Sequence, residues 1–364
     1  MPHPHEINLR GPWQYQVLET AQSAPAASAG RISLPASWAA TLGADFRGRV
    51  RYTRSFAAPT NIAAQERVWL LLDGVDHTGV ISLNGAELAR LEGYLAHTSL
   101  DVTERLRPRN ELAVEIALPD DPEGKLPRLG RHGRAGGLLG EVRLEVRQHL
   151  FLEPLTFAVH LQENPTGEDA GGAADDPTQV LDIRGRVGGH AGDEEDLSLL
   201  VTVARQEVLF EGVVPHEQFH FTIPVLGLPV WQAGKGRAGE EERADGSDTV
   251  DVALVAGGVA LWQLSRRTWC RPAPSEPLPI SEVKIVDFPD EPPTVDLLRQ
   301  VLGTPIPRHI LCHRILPDAY YDAFDDMGLC VMQPPASVGN ADAAARLSGH
   351  PSIIYWPPTS QSPT

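Results

Sequence analysis

Acidic, aromatic and imidazole side chains are the residues of this sequence that could do chemistry, and their spacing limits what that chemistry can be. Asp325 and Asp326 form a carboxylate pair in DAYYDAFDDMG. Adjacent helix positions point about 100° apart, so the pair cannot face one substrate and is expected on a solvated helix face. Asp287, Asp290 and Glu291 are the acids placed to enter a pocket beside a strand end, and Asp287 is a candidate binding residue. Trp38, Tyr94 and His97 can line a sugar-binding face, because aromatic planes stack on the apolar faces of pyranoses. Trp38 can equally be a core residue, as buried aromatics of sandwiches are. Asn84 can hydrogen-bond a hydroxyl, or can serve only to turn a hairpin with Gly85. Asp76 and His77, in GVDHTG, read as turn residues.

Metal chemistry has little to work with. His3/His5 and Cys312/His313 carry suitable atoms, but each stands without a second cluster, so neither a metal nor another cofactor is expected. The cysteines Cys270, Cys312 and Cys330 are odd in number and lack CxxC spacing. They read as reduced, partly buried thiols of a cytoplasmic protein. The formal net charge of −17, with no long Lys/Arg cluster, argues against nucleic acid and anionic membrane as partners. The N-terminus has no apolar signal-type segment, and no long uncharged apolar span follows.

The elements that must position these residues are mostly strands. In EVRLEV (141–146), Val142, Leu144 and Val146 share one face while Glu141, Arg143 and Glu145 share the other. Leu112, Val114, Ile116 and Leu118 alternate in the same way, so each segment predicts a half-buried strand. Asn84-Gly85 predicts a hairpin, since both residues tolerate positive φ. Many short strands between turn residues predict a jelly roll over 1–150. LSLLVTV (197–203), FHFTI (219–223) and TVDVALV (249–255) predict a second, smaller sandwich over 151–272. Two polar Gly-rich stretches, 163–178 and 233–248, read as loops within it.

Beyond PAPSEPLP (272–279) the rhythm changes to alternating strands and helices over 273–364. Thr294 predicts an N-cap for a helix with Val295, Leu298 and Leu302 on one stripe and Gly303 at its end. Tyr320, Ala323, Phe324 and Met327 predict a second helix, ended by Gly328. Asn340 to Ser348 predicts a third. Strands are expected at ISEVKIVDF, HILCH, LCVM and SIIYW, an order that implies a parallel sheet.

LPASW (34–38), GADFRGRVRYTRSF (43–56), VWLLLDGVDHTGVISLNG (68–85), DVTERL (101–106) and NELAVEI (110–116) form the first of three regions that carry a family resemblance. This region resembles the sugar-binding jelly roll of glycoside hydrolase family 2, the β-galactosidase, β-glucuronidase and β-mannosidase group. VWQAGKG (230–236) is similar to its immunoglobulin-like sandwich. ILPDAYYDAFDDMGLCVMQ (315–333) and HPSIIYW (350–356) are similar to the early strands of its (β/α)8 barrel. The resemblance implies a mainly β chain: a galactose-binding-like jelly roll, an immunoglobulin-like sandwich, then a partial (β/α) half-barrel.

It also implies a deficit in catalysis. A retaining glycosidase needs two carboxyl groups about 5 Å apart. By alignment, Gln361 stands where the family has its acid/base Glu, and the nucleophilic Glu belongs to barrel strands beyond this sequence. Aligning on Pro317 puts Cys312 and Ile315 at the places of a family Arg and His, and Gln333 follows the third strand where an acid is usual. The expectation is a carbohydrate-binding relative without glycosidase activity of its own. The alternatives are an O-glycosyl hydrolase completed by a half-barrel from elsewhere, and a scaffold without ligand. A sheet of four barrel strands leaves edges, so packing on the sandwiches or homodimerisation through the open edge is expected.

Overall fold

The computed structural model describes residues 4–21, 28–38, 41–43, 46–92, 96–118, 136–162, 178–189, 196–231, 234, 249–270, 283–286, 288, 293–312, 316, 318–332, 347 and 349–355. Its first part contains β1 (His5–Asn8), β2 (Trp13–Thr20), β3 (Ala29–Ile32), β4 (Ala36–Ser37), β5 (Gly48–Ala57) and β6 (Glu66–Asp76). Then come β7 (Thr78–Leu83), β8 (Ala86–Glu92), β9 (Ala96–Asp101), β10 (Arg109–Leu118), β11 (Gly137–Leu138) and β12 (Val142–Gln148). Two antiparallel sheets result, one ordered β1-β12-β6-β11-β4 with β9 added to β6, the other β3-β2-β5-β10-β7-β8. The alternation explains the layering. Leu112, Val114, Ile116 and Leu118 of β10 are all 0% exposed and meet Val142, Leu144 and Val146 of the facing sheet in one core. Asn84 and Gly85 turn β7 into β8 with φ of 54° and 82°, the left-handed pair that a two-residue hairpin demands.

A second core lies between two further antiparallel sheets. Their strands are β13 (Leu150–Leu152), β14 (Thr156–Gln162), β15 (Thr178–Gly189) and β16 (Leu197–Val203). After these come β17 (Gln206–Glu211), β18 (Gln218–Val225), β19 (Thr249–Ala256) and β20 (Val259–Arg267). One sheet runs β13-β15-β14, with β18 also on β15, and the other runs β17-β16-β19-β20.

The third part is β21 (Val283–Val286), α1 (Val295–Leu302), β22 (His309–Cys312), α2 (Asp318–Met327), β23 (Cys330–Met332) and β24 (Ile353–Tyr355). All three pairings in this sheet are parallel, in the order β21-β22-β23-β24, as strand–helix alternation requires. Thr294 Oγ1 accepts the Leu297 N–H at 3.1 Å and caps α1. Leu298 and Leu302 are buried, but Val295 is 61% exposed, so the expected stripe starts one turn later. On α2, Tyr320 and Phe324 are buried as expected and so is Tyr321, which gives its hydroxyl to the Leu316 N–H as acceptor at 3.0 Å. Of the expected third helix, only Leu347 lies among the described residues.

Candidate functional site

Trp38 directly follows β4 and is 0% exposed. Its Nε1–H donates to the Tyr52 hydroxyl at 2.6 Å, and its ring meets Phe46 edge-on at 5.1 Å. Burial raises the Tyr52 phenol well above its ordinary range, so the hydroxyl stays protonated. Gly136 presses on this wall. A Cβ there would stand 2.6 Å from the Asp76 carbonyl oxygen and 3.2 Å from the Trp38 ring. In this structure Trp38 is a core residue and presents no face to a ligand.

Asn84 is committed as well. Its Oδ1 accepts the Glu111 N–H at 3.0 Å, and its Nδ2 donates to Asn110 Oδ1 at 2.9 Å and to the Arg105 carbonyl at 3.1 Å. It ties the β7–β8 turn to the start of β10. Asp76 and His77, read from sequence as turn residues, are buried, 1% and 6% exposed: Asp76 is the last residue of β6 and His77 the bend between β6 and β7. Asp76 ends β6 and pairs with Gly137, which sets these two polar groups beside the Trp38 wall. Tyr94, Asp287 and Gln361 lie outside the described residues, as does the side chain of His97, whose backbone belongs to β9.

Two groups of side chains, neither singled out from sequence, occupy the contacts between the three cores. At the first, Arg147 of β12 is 8% exposed, with its guanidinium 5.0 Å from the Trp69 ring centroid, 4.7 Å from Phe151 and 5.6 Å from Trp262. Trp69 belongs to β6 yet packs against the second core. Arg147 donates twice to Glu145 Oε2, at 2.8 and 2.5 Å, while Arg143 donates to Glu145 Oε1 at 3.0 Å and also pairs with Asp73. The two guanidiniums respond in opposite directions. Burial lowers Arg147 below its ordinary value against the pull of Glu145. Burial acts on Arg143 too, but Asp73 and Glu145 together outweigh it and raise its pKa.

At the second contact, Trp231, Trp269 and Cys330 form a small buried cluster between the second sandwich and the half-barrel. Trp231 Nε1–H donates to the Asp325 carbonyl at 3.0 Å, and the Gly234 N–H donates to the Gly328 carbonyl at 2.8 Å. The Asp325 carboxylate corrects the expectation of a solvated helix face, for the residue is 0% exposed while Asp326 stays in solvent. Asp325 Oδ1 accepts the Ser352 N–H at 3.0 Å, and Oδ2 lies 2.7 Å from His350 Nδ1. Burial of a carboxylate is tolerable only with such partners. In parallel-barrel folds, chemistry collects past the C-terminal ends of the strands. Here the residues that immediately follow β21, β22, β23 and β24 lie outside the described set.

Comparison with known proteins agrees with this architecture. Residues 45–134 match the family described as glycosyl hydrolase 2 galactose-binding domain-like. A search of the curated proteins returned no match. Among solved structures, the chain is similar to the FMN-binding β-glucuronidase of Facaelibacterium prausnitzii L2-6, with TM-score 0.69, 17% identity and coverage of 98% of this chain and 58% of that one. A Bacteroides uniformis β-glucuronidase gives TM-score 0.69 and 19% identity, covering 97% of this chain and 46% of that one. A putative β-galactosidase of Bacteroides fragilis gives TM-score 0.69 and 14% identity, covering 98% and 59%. This chain thus spans about half the length of the solved enzymes it matches. Residues 45–134 thus match a galactose-binding-like domain of glycosyl hydrolase 2, and the solved structures share the fold of this chain, two β-sandwiches followed by a four-stranded parallel sheet. No helix among the described residues is long and apolar enough to cross a membrane.

Proposed function

We propose that this chain holds a carbohydrate through its jelly roll and does not itself cleave glycosides. The observation that carries the proposal is the match of residues 45–134 to the galactose-binding-like family. With Trp38 and Asn84 engaged inside the fold, the candidate sugar contacts are Tyr94 and His97, with Asp287 beside the half-barrel. Two residues support binding without hydrolysis. Gln361 aligns with the acid/base Glu, and an amide has no proton to give near neutral pH. Cys312, at the place of a family Arg, is 1% exposed and packs in the half-barrel core. Calorimetry of the 364-residue protein against a glycan panel, with aryl-glycoside turnover measured on the same sample, tests both halves. Saturable binding without sugar release is expected, with Tyr94→Ala weakening it about tenfold, as loss of one stacking contact does. Enzyme-like turnover would overturn the proposal, and an entirely silent panel would leave a scaffold.

A second reading, an O-glycosyl hydrolase of β-galactosidase or β-glucuronidase type, draws on the length relation to the solved enzymes. It requires the rest of a barrel from another polypeptide or from a longer form of this one, and turnover that appears only when that part is added would favour it. Cytoplasmic location and self-association through β21 or β24, the outer strands of the parallel sheet, belong to the same proposal. Sedimentation velocity tests the association.

A further inference from the structure

The buried end of α2 holds a constellation that carbohydrate binding does not use. Asp322 and Asp325 sit three positions apart on α2, so one helix face presents both carboxylates. His350 approaches from the turn before β24, and Tyr321 packs on its ring at 5.5 Å between centroids. One carboxylate oxygen from each aspartate and one imidazole nitrogen all lie within 4.8 Å of one another. The three differ in burial in a useful way: Asp325 is enclosed, His350 half-buried and Asp322 exposed. Ions can therefore arrive from solvent at one side of a set whose other side is fixed by the fold.

A second feature adjoins these three. Ser352 is 0% exposed and gives its N–H to Asp325 Oδ1, yet its hydroxyl has no hydrogen-bond partner among the described residues. Buried hydroxyls are normally satisfied, and an orphan asks what partner it has in the working protein. Water bound to an ion on the neighbouring carboxylate is one such partner.

We propose that Asp322, Asp325 and His350 form a site for a divalent transition-metal ion of the zinc or cobalt type. Two carboxylates and an imidazole are ligands for such ions at about 2.0–2.2 Å, with water completing a four-coordinate shell. Calcium, which takes six to eight oxygens, is matched less well by this set. In the metal-free protein one proton bridges His350 Nδ1 and Asp325 Oδ2. As the ion binds, the imidazole changes tautomer, giving up the Nδ1 proton and carrying its one proton on Nε2, so that the Nδ1 lone pair faces the metal; Nδ1 and Oδ2 open slightly around it, and the exposed Asp322 side chain closes in as third ligand. The ion then pins α2 to the turn before β24, two elements already joined through Asp325.

The test is a titration of the chelator-treated, full 364-residue chain with cobalt(II), read by visible ligand-field absorption and by the thermal midpoint. The expected result is one ion per chain, a low-coordinate cobalt spectrum and a raised midpoint. Asp322→Asn and His350→Gln should each weaken binding by at least about 10- to 100-fold, the range seen when only a supporting group of a metal site is lost. Asp322 is exposed, so its variant keeps the fold and decides the matter even if His350→Gln is destabilised. Absence of saturable binding would overturn the proposal, as would binding that Asp322→Asn leaves unchanged, since the ion would then sit elsewhere.

Discussion

The two contacts that join the three cores solve one problem with different materials. Between the sandwiches, a buried cation is held by three aromatic rings and one shared carboxylate. Between the second sandwich and the half-barrel, two indoles and a thiol pack together while two donors cross to main-chain carbonyls: the Trp231 indole N–H to Asp325 and the Gly234 N–H to Gly328. The first joint is written in side chains and depends on each of them. The second rests on apolar packing and on main-chain acceptors, and should tolerate more. Removing one partner of a buried charged pair is costly because the other is stranded, whereas trimming an apolar contact costs transfer and cavity terms.

The sharpest way to break this contrast is Arg147→Ala. It empties the space among Trp69, Phe151 and Trp262 and leaves Glu145, 4% exposed, with Arg143 alone. A loss of about 3–5 kcal/mol is expected from urea unfolding, with the two sandwiches separating into distinct transitions. Arg147→Lys keeps the charge but not the double donation or the planar stack, and should recover only part of that loss. A control away from both joints is Asn84→Ala, which removes three hydrogen bonds and puts a non-Asn side chain at φ 54°. About 2 kcal/mol should be lost from the jelly roll, with the coupling between sandwiches intact. At the second joint, Trp231→Phe removes the bond to the Asp325 carbonyl while keeping most of the packing, for a loss of about 1–2 kcal/mol.

The smallest effect expected is a pH dependence. Burial raises the Cys270 thiol above its ordinary value. A raised folded value means the folded chain holds this proton where the unfolded chain releases it. The stabilisation is full below the unfolded thiol value, about 8.5, and declines as pH rises above it toward the folded value. Urea midpoints between neutral pH and moderately alkaline pH should therefore fall less steeply in Cys270→Ala than in the wild type.

These joints also mark where the sequence stops being readable. Alternation in 141–146 correctly puts Val142, Leu144 and Val146 inward, but reads Arg143 and Glu145 as facing water. Period-2 patterning knows only one buried face. The second is covered by Phe151 and by Trp262, which is more than a hundred residues further on, and nothing local to β12 announces them. Asp325 failed for a related reason, since its partners His350 and Ser352 come from beyond β23. By contrast, Asn84-Gly85, the Thr294 cap and the four parallel strands were legible because their causes are local: positive φ, a hydroxyl acceptor and strand–helix alternation. Candidate contacts such as Trp38 could be named by residue type, but only packing reveals which aromatic faces are already spent.

Trp69 has a further consequence. Its main chain pairs with Glu145 and Asp101 inside the jelly-roll sheet, while its indole forms part of the wall of the neighbouring sandwich. Any fragment cut just before Leu150 would leave that wall behind, so the smaller sandwich expressed by itself would expose a raw apolar floor and tend to aggregate. Gene fusions and swaps that keep both sandwiches together avoid that penalty.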